Sequence, residues 1–199
     1  MYKLKTLVLA IISGSLIITG MIWIVINSGL VKNKTIPIIK NIPSFSLNTQ
    51  DGNSFSDLDL IGKVTVLDFI FTSCVGPCPR MTHNMRKLYE QYQSKPDVQF
   101  VSITVDPKID SKELLKQYAV ANGVTDERWK FLTGEIELIK SVSQDGFLLF
   151  ADNLPVGHAI KFVLIDHKGQ IRKYYDGTDD DSIVILKGDI DWILKDINS

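Results

Sequence analysis

The apolar positions of this chain form one long run near the N-terminus and a series of shorter patterned segments after it. Residues 6–31 carry no charged side chain and consist mainly of Leu, Ile, Val, Met and Trp. As a helix, this run would extend about 39 Å, which exceeds the ~30 Å hydrocarbon core of a bilayer. The run therefore predicts one transmembrane helix that is retained as an anchor. A cleaved signal peptide is the alternative, although its apolar region is normally shorter.

After residue 42, strand-like and helix-like patterns alternate. Apolar runs at residues 64–71 and 98–105 predict strands that are covered on both faces. Between them, Met81, Met85, Leu88 and Tyr92 recur at helical spacing. The other predicted elements are a hairpin around residues 51–53, helices that begin near residues 111, 135 and 180, and strands at 129–132, 159–165 and 170–175. Either Asp110 or Ser111 can cap the helix that begins near residue 111.

The predicted elements follow the order hairpin, β, α, β, α, β, α, β, β, α. Alternating strands and helices of this kind predict a three-layer α/β sandwich. The order is thioredoxin-like, with an N-terminal β-hairpin, and one transmembrane helix precedes it. We therefore predict a membrane anchor and linker at residues 1–40 and a thioredoxin-like domain at residues 41–199.

The charges of the chain are divided unevenly between these two parts. Residues 1–40 contain five of the 22 lysines and arginines and none of the 23 acidic residues. Because lysines flank the apolar run on both sides, they do not decide its orientation in a membrane. The predicted domain is net negative, which makes it a poor ligand for nucleic acid. Nucleic acid is therefore excluded as a partner.

Cys74 and Cys78 are the two cysteines of the chain, and they lie between a predicted strand and a predicted helix. A helix N-terminus lowers the pKa of a nearby thiol, so we expect reactive thiolates here. The pair can form one disulfide or bind one soft metal ion. Its C-x3-C spacing differs from the C-x2-C of thioredoxin-type redox motifs and favours a metal without excluding redox chemistry. A structural disulfide that closes so short a loop would stabilise the fold little.

Three histidines could complete a metal site, and their positions differ. His83 is about 140° around the predicted helix from Cys78, and His167 lies in a predicted turn, so both are expected to face solvent. His158 directly precedes a predicted strand, and at such a position a histidine can be either a metal ligand or a residue at the edge of the core. Met81 and Met85 could add thioether ligands, although methionine at this spacing more often fills a core.

Four sequence features together resemble the Sco/SenC family. They are Phe-Thr-Ser-Cys at residues 71–74 with Cys-Pro at 78–79, Val-Ser-Ile-Thr-Val-Asp-Pro at 101–107, Phe-Leu-Thr-Gly at 131–134, and a histidine just before an apolar strand. That family consists of membrane-anchored copper-binding proteins of thioredoxin fold that take part in cytochrome c oxidase assembly. The resemblance covers residues 41–199. It implies that the domain lies outside the cytoplasm.

The resemblance also implies a ligand set for copper. Cys74, Cys78 and His158 would bind the ion, and Asp106 would lie near the site without binding it. Two thiolates and an imidazole suit Cu(I) and trigonal Cu(II), whereas structural zinc normally takes four protein ligands. Members often have Asp before the histidine, whereas this chain has Gly157. Because such neighbouring groups orient a ligand imidazole, we expect the orientation of His158 to differ.

The implied function is that of a copper chaperone, a carrier rather than an enzyme. Its partner would be the copper-site subunit of cytochrome c oxidase or another copper recipient. The alternative is a thiol–disulfide oxidoreductase that uses a Cys74–Cys78 disulfide to act on the cysteines of a partner. A peroxiredoxin-like peroxidase is disfavoured, because the Arg and Thr arrangement of a peroxidatic cysteine is not identifiable in this sequence.

Overall fold

The computed structural model describes residues 2–27 and 35–197, and its two compact units divide between residues 35 and 36. The first unit contains helix α1 (Tyr2–Asn27). The helix predicted for residues 6–31 is therefore present up to Asn27, and residues 28–31 lie outside the described part of the chain. Within the described part, no helix combines the length and apolar character needed to cross a membrane.

The second unit is built on one sheet of eight strands in the order β1-β8-β7-β4-β5-β6-β2-β3. The strands are β1 (Lys40–Asn41), β2 (Ser46–Thr49), β3 (Ser54–Ser56), β4 (Val64–Ile70), β5 (Val98–Thr104), β6 (Trp129–Thr133), β7 (Lys161–Ile165) and β8 (Gln170–Asp176). The helices are α2 (Cys78–Gln91), α3 (Lys112–Ala121), α4 (Ile136–Ser141) and α5 (Asp180–Ile197). A π-helical turn, Val142–Gly146, continues α4.

The helices cover both faces of this sheet, so the predicted three-layer arrangement is present. Strands β4, β5 and β6 are parallel to one another, and every residue of β4 and β5 is buried. One face packs against α2, α3 and α5 through residues such as Val66, Met85 and Leu186. The other face packs against α4 and the π-helical turn, where Leu67 and Phe147 belong to a second core. Burial on both faces explains the uninterrupted apolar pattern of the central strands.

Two of the differences between the predicted and the observed boundaries bear on the site or on the sheet edge. Strand β7 begins at Lys161 rather than at residue 159, because the preceding segment folds back on itself through an isolated bridge between Ala151 and His158. Strand β1 lies across the predicted boundary between the linker and the domain, at residues 40 and 41, and it pairs antiparallel with β8. Two residues are too few to produce a readable alternation of apolar and polar positions.

Candidate metal centre

The two cysteines lie where β4 gives way to α2. Strand β4 ends at Ile70, residues 71–77 form the connection, and Cys78 is the first residue of α2. The side chain of Cys74 is partly exposed, whereas Cys78 is only 1% exposed. Both thiols are free. The site is therefore a reduced dithiol with one accessible sulfur and one buried sulfur.

The fold places His158 beside this dithiol, in the segment that leads into β7. Its Nε2 atom lies 3.5 Å from the Sγ atom of Cys78. Its ring packs edge-on against Phe71, with the ring centroids 5.6 Å apart. In normal hydrogen-bond geometry, its Nδ1 atom has no partner among the described residues. A ligand imidazole is usually held through its second nitrogen, so how His158 is oriented depends here mainly on its contacts with Cys78 and Phe71.

A pocket of about 310 Å³ opens at this point of the surface. Cys74 and His158 both line it, and its other walls are mainly apolar: Phe71, Ser73, Val75, Gly76, Pro77, Val156 and Ile160. Val75 and Val156 are among the most exposed apolar side chains of the domain. A reagent or ion that enters this pocket meets the sulfur of Cys74 before it meets the deeper sulfur of Cys78.

Burial sets the protonation state of the site. It raises the pKa of Cys78 to about 12, and the neighbouring Cys74 and Asp68 act in the same direction, while a backbone hydrogen bond at Phe71 opposes them. The expectation of a lowered thiol pKa at the start of α2 is wrong for Cys78, because loss of hydration outweighs the helix terminus. Burial also lowers the pKa of His158. The imidazole is therefore neutral at pH 7 and keeps a lone pair for a metal ion.

Asp68 is a functional candidate that the sequence analysis missed. It lies in the middle of β4 and is fully buried, and in normal hydrogen-bond geometry neither carboxylate oxygen has a partner among the described residues. Burial raises its pKa to about 7, and the Ser102 hydroxyl offsets only part of this effect. The sequence contains a sign of this buried acid, because Asp68 is the one acidic residue in the apolar run 64–71.

Asp106 and Asp110 follow strand β5 at the same edge of the sheet. The N–H of Asp106 donates to the Thr104 hydroxyl, and the proposed proximity of its carboxylate to the metal site stays a prediction. Asp110 is buried and accepts hydrogen bonds from Thr72, two residues before Cys74. It does not cap α3, because Ser111 accepts the N–H of Leu114 instead.

The remaining candidates lie elsewhere. Met81 and Met85 are fully buried in the core between the sheet and its helices, His83 is exposed on α2, and His167 follows β7. Across residues 2–27 and 35–197, no group of three or more His, Cys, Asp or Glu side chains is already arranged to hold a metal ion. The structure thus brings Cys78 and His158 into contact, with Cys74 next to them, and the three-ligand set stays a prediction.

A dithiol and an imidazole at the carboxyl end of a central strand define a thioredoxin-like protein with a candidate site for a soft metal. Residues 37–193 match the model of the SCO1/SenC family. The chain belongs to the SCO1/SenC family. This confirms the family resemblance that the cysteine and Asp-Pro motifs indicated.

Relatives agree with this assignment in sequence and in fold. The chain is 32% identical over 149 residues to the SCO1 protein homolog of Bacillus subtilis, with 72% of this chain and 77% of that protein covered. A SCO1/SenC family lipoprotein from Bacillus anthracis has a similar structure, with a TM-score of 0.72, 37% identity, and coverage of 78% of this chain and 95% of that chain. The predicted mixed α/β, thioredoxin-like fold is confirmed.

Two further solved structures concern the chemistry of such proteins. BsSco, described as a member of the Sco family of cytochrome c oxidase assembly proteins with a disulfide switch, has a TM-score of 0.70 at 28% identity, with 79% of this chain and 96% of that chain covered. ScoI of Arabidopsis thaliana has been solved with copper bound, and its TM-score is 0.63 at 27% identity, with 79% and 98% covered.

Replacing Asp68 with Asn is expected to stabilise the folded protein above pH 7, by roughly 1–4 kcal/mol. The pKa of Asp68 is 3.8 in its ordinary state and about 7 in the fold. Between these values the folded protein binds the proton more tightly than the unfolded chain does, so wild-type stability falls as the pH rises. The amide of the substituted side chain cannot ionise, and this fall should largely disappear. Urea unfolding at a series of pH values measures both effects.

Asp166 offers a matched control for this substitution. It is also buried, but its carboxylate accepts the N–H groups of Lys168 and Gln170 and pairs with Arg172 at 2.7 Å. The Asp166→Asn variant should therefore be less stable than the wild type. An Asp68→Asn variant with the wild-type pH dependence between about pH 4 and pH 7 would show that Asp68 does not titrate in this range.

Proposed function

We propose that this chain is a copper-carrying protein of cytochrome c oxidase assembly, and that Cys74, Cys78 and His158 bind the ion. The observation that carries the proposal is the contact of 3.5 Å between Cys78 Sγ and His158 Nε2 at a pocket that Cys74 also lines. Two sulfurs and a neutral imidazole form a donor set suited to Cu(I) and, in trigonal sites, Cu(II). The copper-bound ScoI of Arabidopsis thaliana supports the choice of metal.

The difference between the two thiols suggests an order of binding. The accessible sulfur of Cys74 would meet the incoming ion first, because Cys78 lies deeper. The pKa of Cys78 is about 12, so its proton must leave when the sulfur binds the metal, and the cation supplies the charge that stabilises the thiolate. Affinity should therefore increase with pH.

A second candidate function is thiol–disulfide exchange. The free and unequal thiols support it, as does the disulfide switch of BsSco. The Cys74 thiolate would attack a disulfide of a partner and form a mixed disulfide, which expels one partner thiolate. Cys78 would then attack the sulfur of Cys74, release the second partner thiol and leave a Cys74–Cys78 disulfide. The partner gains two electrons, and this chain loses them.

The membrane anchor also belongs to the proposal. We infer that residues 6–31 fix the protein to a membrane and that the domain, residues 41–199, lies outside the cytoplasm. The uncharged composition of residues 6–31 supports this inference. The lipoprotein character of the Bacillus anthracis relative supports it as well, because a lipid anchor also holds a domain at a membrane surface.

The reduced full chain in detergent is expected to bind one copper ion. Changing Cys74 or Cys78 to Ser should weaken Cu(I) binding by more than about 100-fold, since loss of groups that only support a ligand already costs about 10–100-fold. His158→Ala should mainly weaken Cu(II) binding, because a two-coordinate thiolate pair holds Cu(II) poorly. Competition with a chromophoric chelator measures these affinities.

His83→Ala is the control for these variants, since His83 lies exposed on α2. It should bind copper as the wild type does. Oxidation to the Cys74–Cys78 disulfide should abolish tight Cu(I) binding, and reduction should restore it. Wild-type Cu(II) affinity and absorption spectrum in His158→Ala would contradict the three-ligand site.

Complementation of a strain that lacks this protein should separate the two candidate functions. A copper carrier needs all three side chains, whereas a dithiol reductase has no chemical need for the imidazole. We therefore expect His158→Ala to lose most cytochrome oxidase activity and added copper to restore part of it. Full activity of His158→Ala together with no activity of Cys74→Ser would favour the thiol reductase.

The anchor is tested on the mature protein. We expect its N-terminus to precede residue 6 and the chain to remain in the membrane pellet after a carbonate wash, because residues 6–31 stay in the bilayer. A chain that lacks residues 1–35 should remain in the supernatant. A mature N-terminus near residue 30 would replace the anchored form with a secreted one.

A further inference from the structure

We propose that Asp110 is a positioning residue that holds the loop of Cys74 in its reduced, metal-binding arrangement and thereby opposes closure of the Cys74–Cys78 disulfide. The metal part of this inference rests on the proposed function, whereas the disulfide part does not. Asp110 touches neither sulfur and acts through Thr72, which lies two residues before Cys74.

Asp110 is a buried acidic residue whose carboxyl group is hydrogen-bonded to two threonines, Thr72 and Thr104. The residue is 0% exposed and lies between the end of β5 and the start of α3. A carboxylate in such a place is costly unless hydrogen bonds replace its water. The usual reason for an acid before a helix does not apply, because Ser111 caps α3. The partners of the carboxylate must therefore explain its position.

Those partners belong to two strand ends. The N–H of Thr72 donates to Oδ2 of Asp110 at 3.0 Å, and the Thr72 hydroxyl donates to Oδ1 at 2.5 Å. The Thr104 hydroxyl, at the end of β5, donates to Oδ2 at 2.5 Å. Thr72 is thus held through both its backbone and its side chain. Because Thr104 lies at the end of β5, these three hydrogen bonds to one carboxyl group tie the start of the loop to that strand.

The loop of Cys74 has a fixed residue at each end. Asp110 holds Thr72, and Cys78 begins α2 and packs in the core at 1% exposure. Between these ends lie residues 73–77, none of which is buried. The two sulfurs are not bonded to each other. A disulfide requires a sulfur–sulfur distance of about 2.05 Å. Because Cys78 is buried in the core, the approach would come from the loop of Cys74, and a Thr72 held by Asp110 restricts that loop. Release of Thr72 from Asp110 should therefore favour the disulfide.

The test measures the dithiol–disulfide equilibrium of the metal-free full chain in detergent. The protein is equilibrated with glutathione buffers, free thiols are alkylated, and the disulfide fraction is read by mass spectrometry. Thr72→Val and Asp110→Asn should each shift the equilibrium toward the disulfide about tenfold, which is about 30 mV for this two-electron couple. Thr72→Ser keeps the hydroxyl and should behave as the wild type.

Asp166→Asn is the matched control, because it removes a buried, hydrogen-bonded carboxylate at the β7–β8 turn. It should lower stability without shifting the equilibrium. The double variant of Thr72→Val and Asp110→Asn should shift it no further than one of the single variants, since both changes remove the same contact. An equilibrium constant within about twofold of the wild type in Thr72→Val, or an equal shift in Asp166→Asn, would overturn the proposal.

A second measurement separates this proposal from the proposed function. Cu(I) affinity of Thr72→Val should be about tenfold weaker than that of the wild type, as for other groups that support a ligand. A wild-type chain that binds no copper, with the disulfide shift of Thr72→Val intact, would overturn copper carriage and leave the role of Asp110 standing. Normal copper binding by the wild-type chain, with no disulfide shift in Thr72→Val, would overturn the role of Asp110 and leave copper carriage standing.

Discussion

The parallel pairing of β4 with β5 determines where the chemistry of this protein lies. The two strands run in step, with Ile70 opposite Thr104, so the chain leaves both at the same edge of the sheet. The loop of Cys74 follows the first strand and Asp110 follows the second. Strand β7 runs antiparallel to β4, and the segment before it brings His158 to the same edge. The strand pairing of the sheet therefore brings together three segments that are far apart in sequence.

Burial keeps two acidic groups near the meeting point of these segments, those of Cys78 and Asp68, from ionising readily. Cys78 and Asp68 are both buried, and for both of them loss of hydration opposes ionisation. A second negative charge close by is unfavourable for either group. A cation has the opposite effect, because it offsets the charge of a thiolate that the interior would otherwise reject. The Cys78 sulfur is thus protonated at neutral pH, and under the proposed function a bound metal ion would be what stabilises its thiolate.

The sequence predicted what depends on side-chain type and on local periodicity. The buried strands, the helix after Cys78 and the two cysteines were readable in this way. His158 was ambiguous, because only the pairing of β7 with β4 brings it to the cysteines. The bond between Asp110 and Thr72 spans 38 residues, and local patterns offered Asp110 only as one of two possible caps of α3. Asp68 was visible as an acid in an apolar run, but its complete burial depends on packing that one sequence does not display.

The sheet ends at its two shortest strands. The edges are β1, Lys40–Asn41, and β3, Ser54–Ser56. Long unpaired strands at an edge are templates for addition of further chains, and short ones present few free backbone groups. The domain exposes the apolar side chains of Val75 and Val156 beside its pocket. Exposed apolar side chains favour association between molecules, but the short edge strands present few free backbone groups to which a strand of another molecule could add.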